Sequence, residues 1–215
     1  MQDVDTRTRL ILSAMQLFRD KGYGSTSVAD VLQCARVNSG SLYHFFPGKQ
    51  QLLLAVLDAY HGGIRPLLLE PAWRGVDDPI ERVFALLAGY RQALVDTDFL
   101  YGCPIGSLAL ELHEPDPPVR ERLAANFTAW SDAVHQCLKD AGARLPRDLD
   151  RQELAALVLS VMEGAVMQAR TYRDVAPFDG AVRQLRGHFA RLMREASPRR
   201  RRRPHTPLRK KKERS

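Results

Sequence analysis

Three features of the sequence predict an all-α protein in two parts, a small N-terminal helix-turn-helix domain and a larger C-terminal helical domain. Apolar residues recur at intervals of three and four along most of the chain, and no convincing strand interrupts them. Residues 26–49 read TSVADVLQCARVNSGSLYHFFPGK: a short amphipathic helix, a tight turn, and a second short helix opening on small polar residues. Gly62, Gly63 and Pro66 then loosen the pattern, which predicts a domain joint or a bent helix end there.

Taken in order, residues 6–22 form a first helix with Leu10, Ile11, Ala14, Leu17 and Phe18 on its buried face. Thr26 or Ser27 can cap the second, because either side-chain oxygen can accept from an unpaired backbone N–H. Val28, Val31, Leu32 and Ala35 share one face of that helix, and Val37 plugs the turn after it. Asn38 is a good cap for the third helix, in which Leu42 and Phe45 are expected to point to the core. Pro47 and Gly48 stop it, and a fourth helix starts near Lys49 and runs to about Tyr60 or beyond. The segment PAWRGVDDP at 71–79 reads as a loop. Helices follow over 79–97, 105–112, 118–141, 150–173 and 178–195, separated by the irregular stretch 99–104, by EPDPP and by Gly142.

The helix-turn-helix has the chemistry of a DNA reader. Ser39, Gly40 and Ser41 keep the first turn of the third helix slim, so its backbone can come close to a groove wall. The Tyr43 hydroxyl and the His44 imidazole can bond phosphate oxygens, and the Tyr43 ring can meet a thymine methyl. Lys49 stands at a helix start, where backbone N–H groups and an ammonium together suit a phosphate. With Thr26, Ser27 and Asn38 these complete the candidate interface to double-stranded DNA. An ordinary helical hairpin is the alternative reading.

This segment resembles the N-terminal domain of the TetR family of transcriptional regulators. The resemblance runs from RLILSAMQLFRDKGY through TSV and VNSGSLYHFFPGK to QQLLLAVLDAY. Arg36 departs from it, standing in the turn where the family usually has glycine, and Leu32 stands where a small residue is usual. Downstream, YGCPIGSLALEL, FTAWSDAV and VMEGAVMQAR resemble a subset of the family's C-terminal domains in which a G-C-x-x-G segment opens a helix beside a ligand pocket. The resemblance implies a repressor and a homodimer in which the last two helices of each subunit pair into a four-helix bundle. Leu154, Leu157, Val158, Val161, Leu185, Phe189, Leu192 and Met193 have the composition for that seam. One short reading helix covers too few base pairs for useful specificity, so two copies would read a palindrome with half-sites about 34–36 Å apart or more.

Apolar and aromatic residues on the long helices supply a candidate effector pocket: Tyr90, Phe99, Cys103, Phe127, Trp130, Met162 and Met167. The effector expected there is apolar or aromatic. Glu163 and Gln168 interrupt the same apolar helix and read equally as core polar groups, interface groups or ligand anchors. Cys103 reads as a small buried residue at the pocket edge, with a reactive thiol as the rival reading. Glu111, His113 and Glu114 read as a solvated helix end, since their E-L-H-E order lacks the second histidine of a zinc helix. No catalytic constellation, metal cluster or cofactor motif is expected, and an enzyme reading has no residues to stand on.

The formal charge of +7 belongs to one end of the chain. From Arg199 to Ser215 there are ten basic residues and one acidic, while residues 1–60 carry six basic and five acidic. The domains expected are thus 1–64, 65–197 and a basic, disordered tail at 198–215, whose pull on phosphate would be independent of sequence. A nucleoid-type binder driven by that tail is the second rival. Scattered Cys34, Cys103 and Cys137 fit reduced thiols in a cytoplasm, and the lack of an unbroken apolar run predicts no membrane span.

Overall fold

The computed structural model describes residues 5–197, and the basic tail lies outside them. Among the described residues all regular structure is helical. The helices are α1 (Thr6–Lys21), α2 (Val28–Ala35), α3 (Ser39–Phe45), α4 (Lys49–Gly63), α5 (Glu70–Trp73), α6 (Pro79–Asp96), α7 (Pro104–Glu111), α8 (Pro117–Asp140), α9 (Arg151–Tyr172) and α10 (Ala176–Ala196).

Local chemistry starts these helices where it should. Asp5, Ser27, Asn38, Asp78 and Asp150 each accept a backbone N–H from the first turn that follows. Pro79, Pro104 and Pro117 occupy first-turn positions, where a missing N–H costs nothing. Ser27 rather than Thr26 caps α2, and it does so reciprocally with Asp30.

One expectation fails between residues 60 and 79. The chain does not loosen after Gly62; it stays helical to Trp73, passing through a π-helical turn at Ile64–Leu69. Pro66 explains the turn, because its ring clashes with the carbonyl four residues back and it has no N–H to donate. A wider turn absorbs that defect without ending the helix. The loop is accordingly shorter than 71–79. The helix from Lys49 to Trp73 and the helix from Arg151 to Tyr172 reach mean hydropathies of 1.3 and 1.2, enough by length and composition to cross a membrane. Their apolar faces instead fill cores: Leu52, Leu53, Val56 and Leu57 from the first, Leu154, Val158, Met162 and Val166 from the second.

There are two cores. The first joins α1–α4 and also takes in Cys103, Ile105 and Leu108 of the α7 region and Val119 and Leu123 of α8. The second joins α6, α8, α9 and α10, with Phe84 and Phe189 meeting edge to face at 5.3 Å. Burying each such large side chain contributes roughly 1.5–3 kcal/mol. Leu154, Val158, Leu185, Phe189 and Leu192 belong to this second core, so they hold one subunit together and are not free for a seam between two. Phe45 is also corrected: it is 38% exposed, and its neighbour Phe46 takes the core position at 3%.

Candidate nucleic-acid interface and ligand cavity

The reading head is built from its caps upward. The Asn38 side-chain oxygen Oδ1 accepts from the Ser41 N–H at 2.9 Å and the Ser41 hydroxyl at 3.0 Å, which fixes the start of α3. Asn38, Ser39, Gly40, Tyr43 and His44 are all exposed, Tyr43 by 57%, while Leu42 is fully buried beneath them. A Cβ placed on Gly40 would meet only Asn38 Oδ1, at 3.5 Å, so packing within the chain does not require glycine there. The turn before α3 does carry strain. Arg36 is left-handed, with φ 54° and ψ 49°, and the Val37 N–H closes on the Leu32 carbonyl at 3.1 Å.

Two of the candidate DNA residues are placed differently from the others. Thr26 is 1% exposed; its hydroxyl donates to the Gly22 carbonyl at 2.7 Å and its N–H to Tyr23. It is a core residue of the α1–α2 turn and is withdrawn from the interface, whereas Ser27 beside it is exposed. Lys49 does not project freely. Its ammonium sits 4.2 Å from the centre of the Tyr23 ring and donates to the Gly24 carbonyl at 3.4 Å, and burial lowers its pKa.

The same turn is gripped from the other side. Glu111, at the end of α7, accepts the Tyr23 N–H at 2.9 Å and the Gly24 N–H at 2.6 Å. The helix end expected to be merely solvated is therefore a clasp between body and head. Gln50 Nε2 to Asp116 at 2.5 Å and the Tyr101 hydroxyl to Asp20 at 2.6 Å extend that contact.

A cavity of about 420 Å³ lies between head and body. Tyr90, Cys103, Phe127 and Trp130 line it, as the sequence predicts. The Trp130 indole N–H donates to the Tyr90 hydroxyl at 3.1 Å, holding two of these walls together. Phe99 and Met167 instead line an adjoining open groove that shares Cys103, Phe127 and Glu163 with the cavity. Met162 is corrected: it is 1% exposed and packed into the second core. Sequence reasoning missed the contributions of Met15, Tyr60, Ile64 and Leu68, which come from α1, α4 and the unforeseen π turn.

Glu163 reaches this cavity because α7 is made to let it. A Cβ on Gly106 would collide with the Glu163 carboxylate, and one on Gly102 would press on Arg170 Cδ at 2.9 Å. Both glycines of the G-C-x-x-G segment thus lie directly against α9 side chains. Burial raises the pKa of Glu163. Burial, with the Glu163 charge adding to it, pushes the Cys103 thiol up to about 12. A thiol 8% exposed beside a carboxyl group matches the small buried residue expected, and its burial works against the thiolate that a nucleophile needs.

Both halves of the chain match known proteins. Residues 10–56 match the family model for bacterial regulatory proteins of the tetR family, and residues 79–184 match that of the LmrA/YxaF-like transcriptional regulator C-terminal domain. An HTH-type transcriptional regulator of Mycobacterium tuberculosis, Rv0196, is 39% identical over 84% of this chain and 92% of its own length. The HTH-type transcriptional repressor DhaR of a Mycobacterium species is 26% identical over 83% of this chain and 89% of its own. A crystal structure of a regulatory protein TetR from Rhodobacter sphaeroides superposes with a TM-score of 0.77 at 27% identity, covering 85% of this chain and 98% of that one.

Proposed function

The chain belongs to the TetR family of bacterial transcriptional regulators, and from that premise we propose that it is a ligand-responsive repressor that binds a palindromic operator as a homodimer. The observation that carries the DNA reading is the outer face of α3, where Ser39, Gly40, Tyr43 and His44 stand exposed on a rigidly capped helix over a fully buried Leu42. Ser27, Asn38, Ser41 and Lys49 flank that face. Lys49 serves by swinging off the Tyr23 ring to a phosphate, or through its field from where it sits.

The outward face of α9 supports a dimer. Leu157, Met167 and Tyr172 are 45%, 55% and 69% exposed in one chain, and a Cβ on Gly164 would meet nothing within 4 Å. Leu157, Val161, Gly164 and Gln168 share one stripe at helical spacing, and a second copy of the same stripe would cover it. The cavity supports an effector with an apolar or aromatic body. Such a ligand changes DNA affinity only by binding the two head positions unequally.

Selection of duplexes from a random pool by the full chain tests this. Recovery of an inverted repeat, with Tyr43→Ala weakening binding to it by about 1–3 kcal/mol, is the expected result. Recovery of unrelated sequences would remove the operator reading.

A further inference from the structure

We propose that the cavity between head and body binds an organic cation, a protonated amine on an aromatic or otherwise apolar frame, with its ammonium on Glu163 and a second N–H on Asn126. The proposal deepens the effector reading above and rests on it for the consequence of binding, though not for binding itself.

Among the described residues, two buried side-chain atoms lack a hydrogen-bond partner: Glu163 Oε1 and Asn126 Oδ1. Both residues line this cavity, and both atoms are acceptors. Asn126 is 2% exposed, and its orientation is settled by its amide nitrogen, which donates to the Leu57 carbonyl at 3.1 Å and the Arg122 carbonyl at 2.9 Å. The oxygen is what is left over. Buried acceptors without donors are rare and costly, and both of these belong to residues of the cavity wall, where a small turn of either side chain brings its free oxygen to a donating ligand.

A charge on that donor follows from what surrounds Glu163. Nearby arginines are engaged elsewhere: Arg170 donates to the Leu100 carbonyl at 3.0 Å, Arg173 pairs with Asp98, and the Arg19 guanidinium stacks 4.0 Å from the Tyr101 ring. Burial raises the pKa of the Glu163 carboxyl, and the neighbour that opposes the burial is the Cys103 thiol, not a basic group. A cation is the species that both satisfies Oε1 and compensates the charge. Aromatic walls at Tyr90, Phe127 and Trp130 favour the same occupant. An anion would meet the carboxylate head on. Tyr90, which accepts from Trp130, keeps its own proton to offer a hydroxyl or carbonyl on the ligand.

Occupancy would be felt at the head. Asn126 ties α8 to the Leu57 carbonyl of α4, and Glu163 lies against the start of α7, whose far end carries Glu111.

The test uses the full chain and three probes of one shape: 1-naphthylmethylammonium, 1-naphthylmethanol and 1-naphthoate, followed by calorimetry and tryptophan fluorescence. The ammonium should bind at least tenfold more tightly than the alcohol, with the carboxylate weakest. That preference should vanish in Glu163→Gln. Equal binding of ammonium and alcohol, a preference for the carboxylate, or no binding of the ammonium up to millimolar concentration would overturn the proposal. If Glu163→Gln does not fold, the wild-type pH profile decides. Ammonium affinity should rise with pH as Glu163 ionises while alcohol affinity stays level, and two level profiles would also overturn it. Selective DNA binding without ammonium binding would sink the cation and leave the regulator. Ammonium binding without selective DNA binding would do the reverse.

Discussion

Glu111 at the end of α7 accepts the backbone N–H of Gly24 at 2.6 Å, across 87 residues of sequence. Its other oxygen takes the Tyr23 N–H, and the Tyr23 ring in turn carries the Lys49 ammonium. A rigid helix therefore runs from the cavity at Cys103 and Gly106 to the base of the reading head. Glu111→Ala should lower stability by about 1 kcal/mol, since the lost bonds are charge-assisted but exposed. Its larger effect should be on coupling: the ratio of operator affinities with and without effector should move toward one, while affinity for the effector alone holds. Glu114→Ala, on the exposed loop just beyond, is the control. An unchanged ratio in Glu111→Ala would show that the clasp transmits nothing.

Arg36 offers a prediction of opposite sign. It occupies a left-handed conformation at φ 54°, which a side chain disfavours and glycine does not. Arg36→Gly should raise the melting temperature, by an amount equivalent to about 1 kcal/mol. If the variant is less stable, the arginine side chain makes a compensating contact that outweighs the backbone strain.

The three cysteines should differ sharply in reactivity. Cys34 is exposed, whereas burial pushes Cys103 up to about 12 and Cys137 up to about 11. Near neutral pH the thiolate fraction of the two buried residues is negligible, and the thiolate is the nucleophile. Brief alkylation of the folded protein followed by peptide mass analysis should mark Cys34 alone. Labelling of Cys103 as fast as that of Cys34 would restore the thiol-sensor reading set aside above.

Subunit pairing and subunit folding can be separated by two substitutions on neighbouring helices. Leu157 is 45% exposed on the outer face of α9, and Phe189 is 1% exposed inside one subunit. Leu157→Asp should give a folded monomer with weakened binding to a palindrome. Phe189→Asp should destabilise the fold itself by several kcal/mol, because it buries an unpaired charge. Sedimentation and circular dichroism together distinguish the outcomes. A dimeric Leu157→Asp protein would move the interface off this face.

The reading head was legible in the sequence because its determinants are local. Capping residues at Ser27 and Asn38, apolar spacing at Val31, Ala35 and Leu42, and a stop at Pro47 and Gly48 act within a few residues of one another. Errors arose where a side chain's fate depends on packing: Thr26 turned inward to Gly22, and Phe45 yielded the core to Phe46. The cavity was half legible. Aromatic residues on α6 and α8 announced a wall, but the sequence could not say that Met162 would be packed solid or that Asn126 and Glu163 would be left without donors.

The sequence by itself determined an all-helical chain, the place and polarity of its reading helix, and the family to which both halves are similar. Periodicity, caps and turn residues are short-range physics that any copy of these segments would obey. Only the tertiary structure decided that a proline at 66 widens a helix and does not end it, that the head's core borrows from α7 and α8, and that Glu111 clasps a turn 87 residues away. Those outcomes depend on which faces meet once the helices pack. Hydrogen-bond partners so far apart in sequence are chosen by the whole fold, not by either segment.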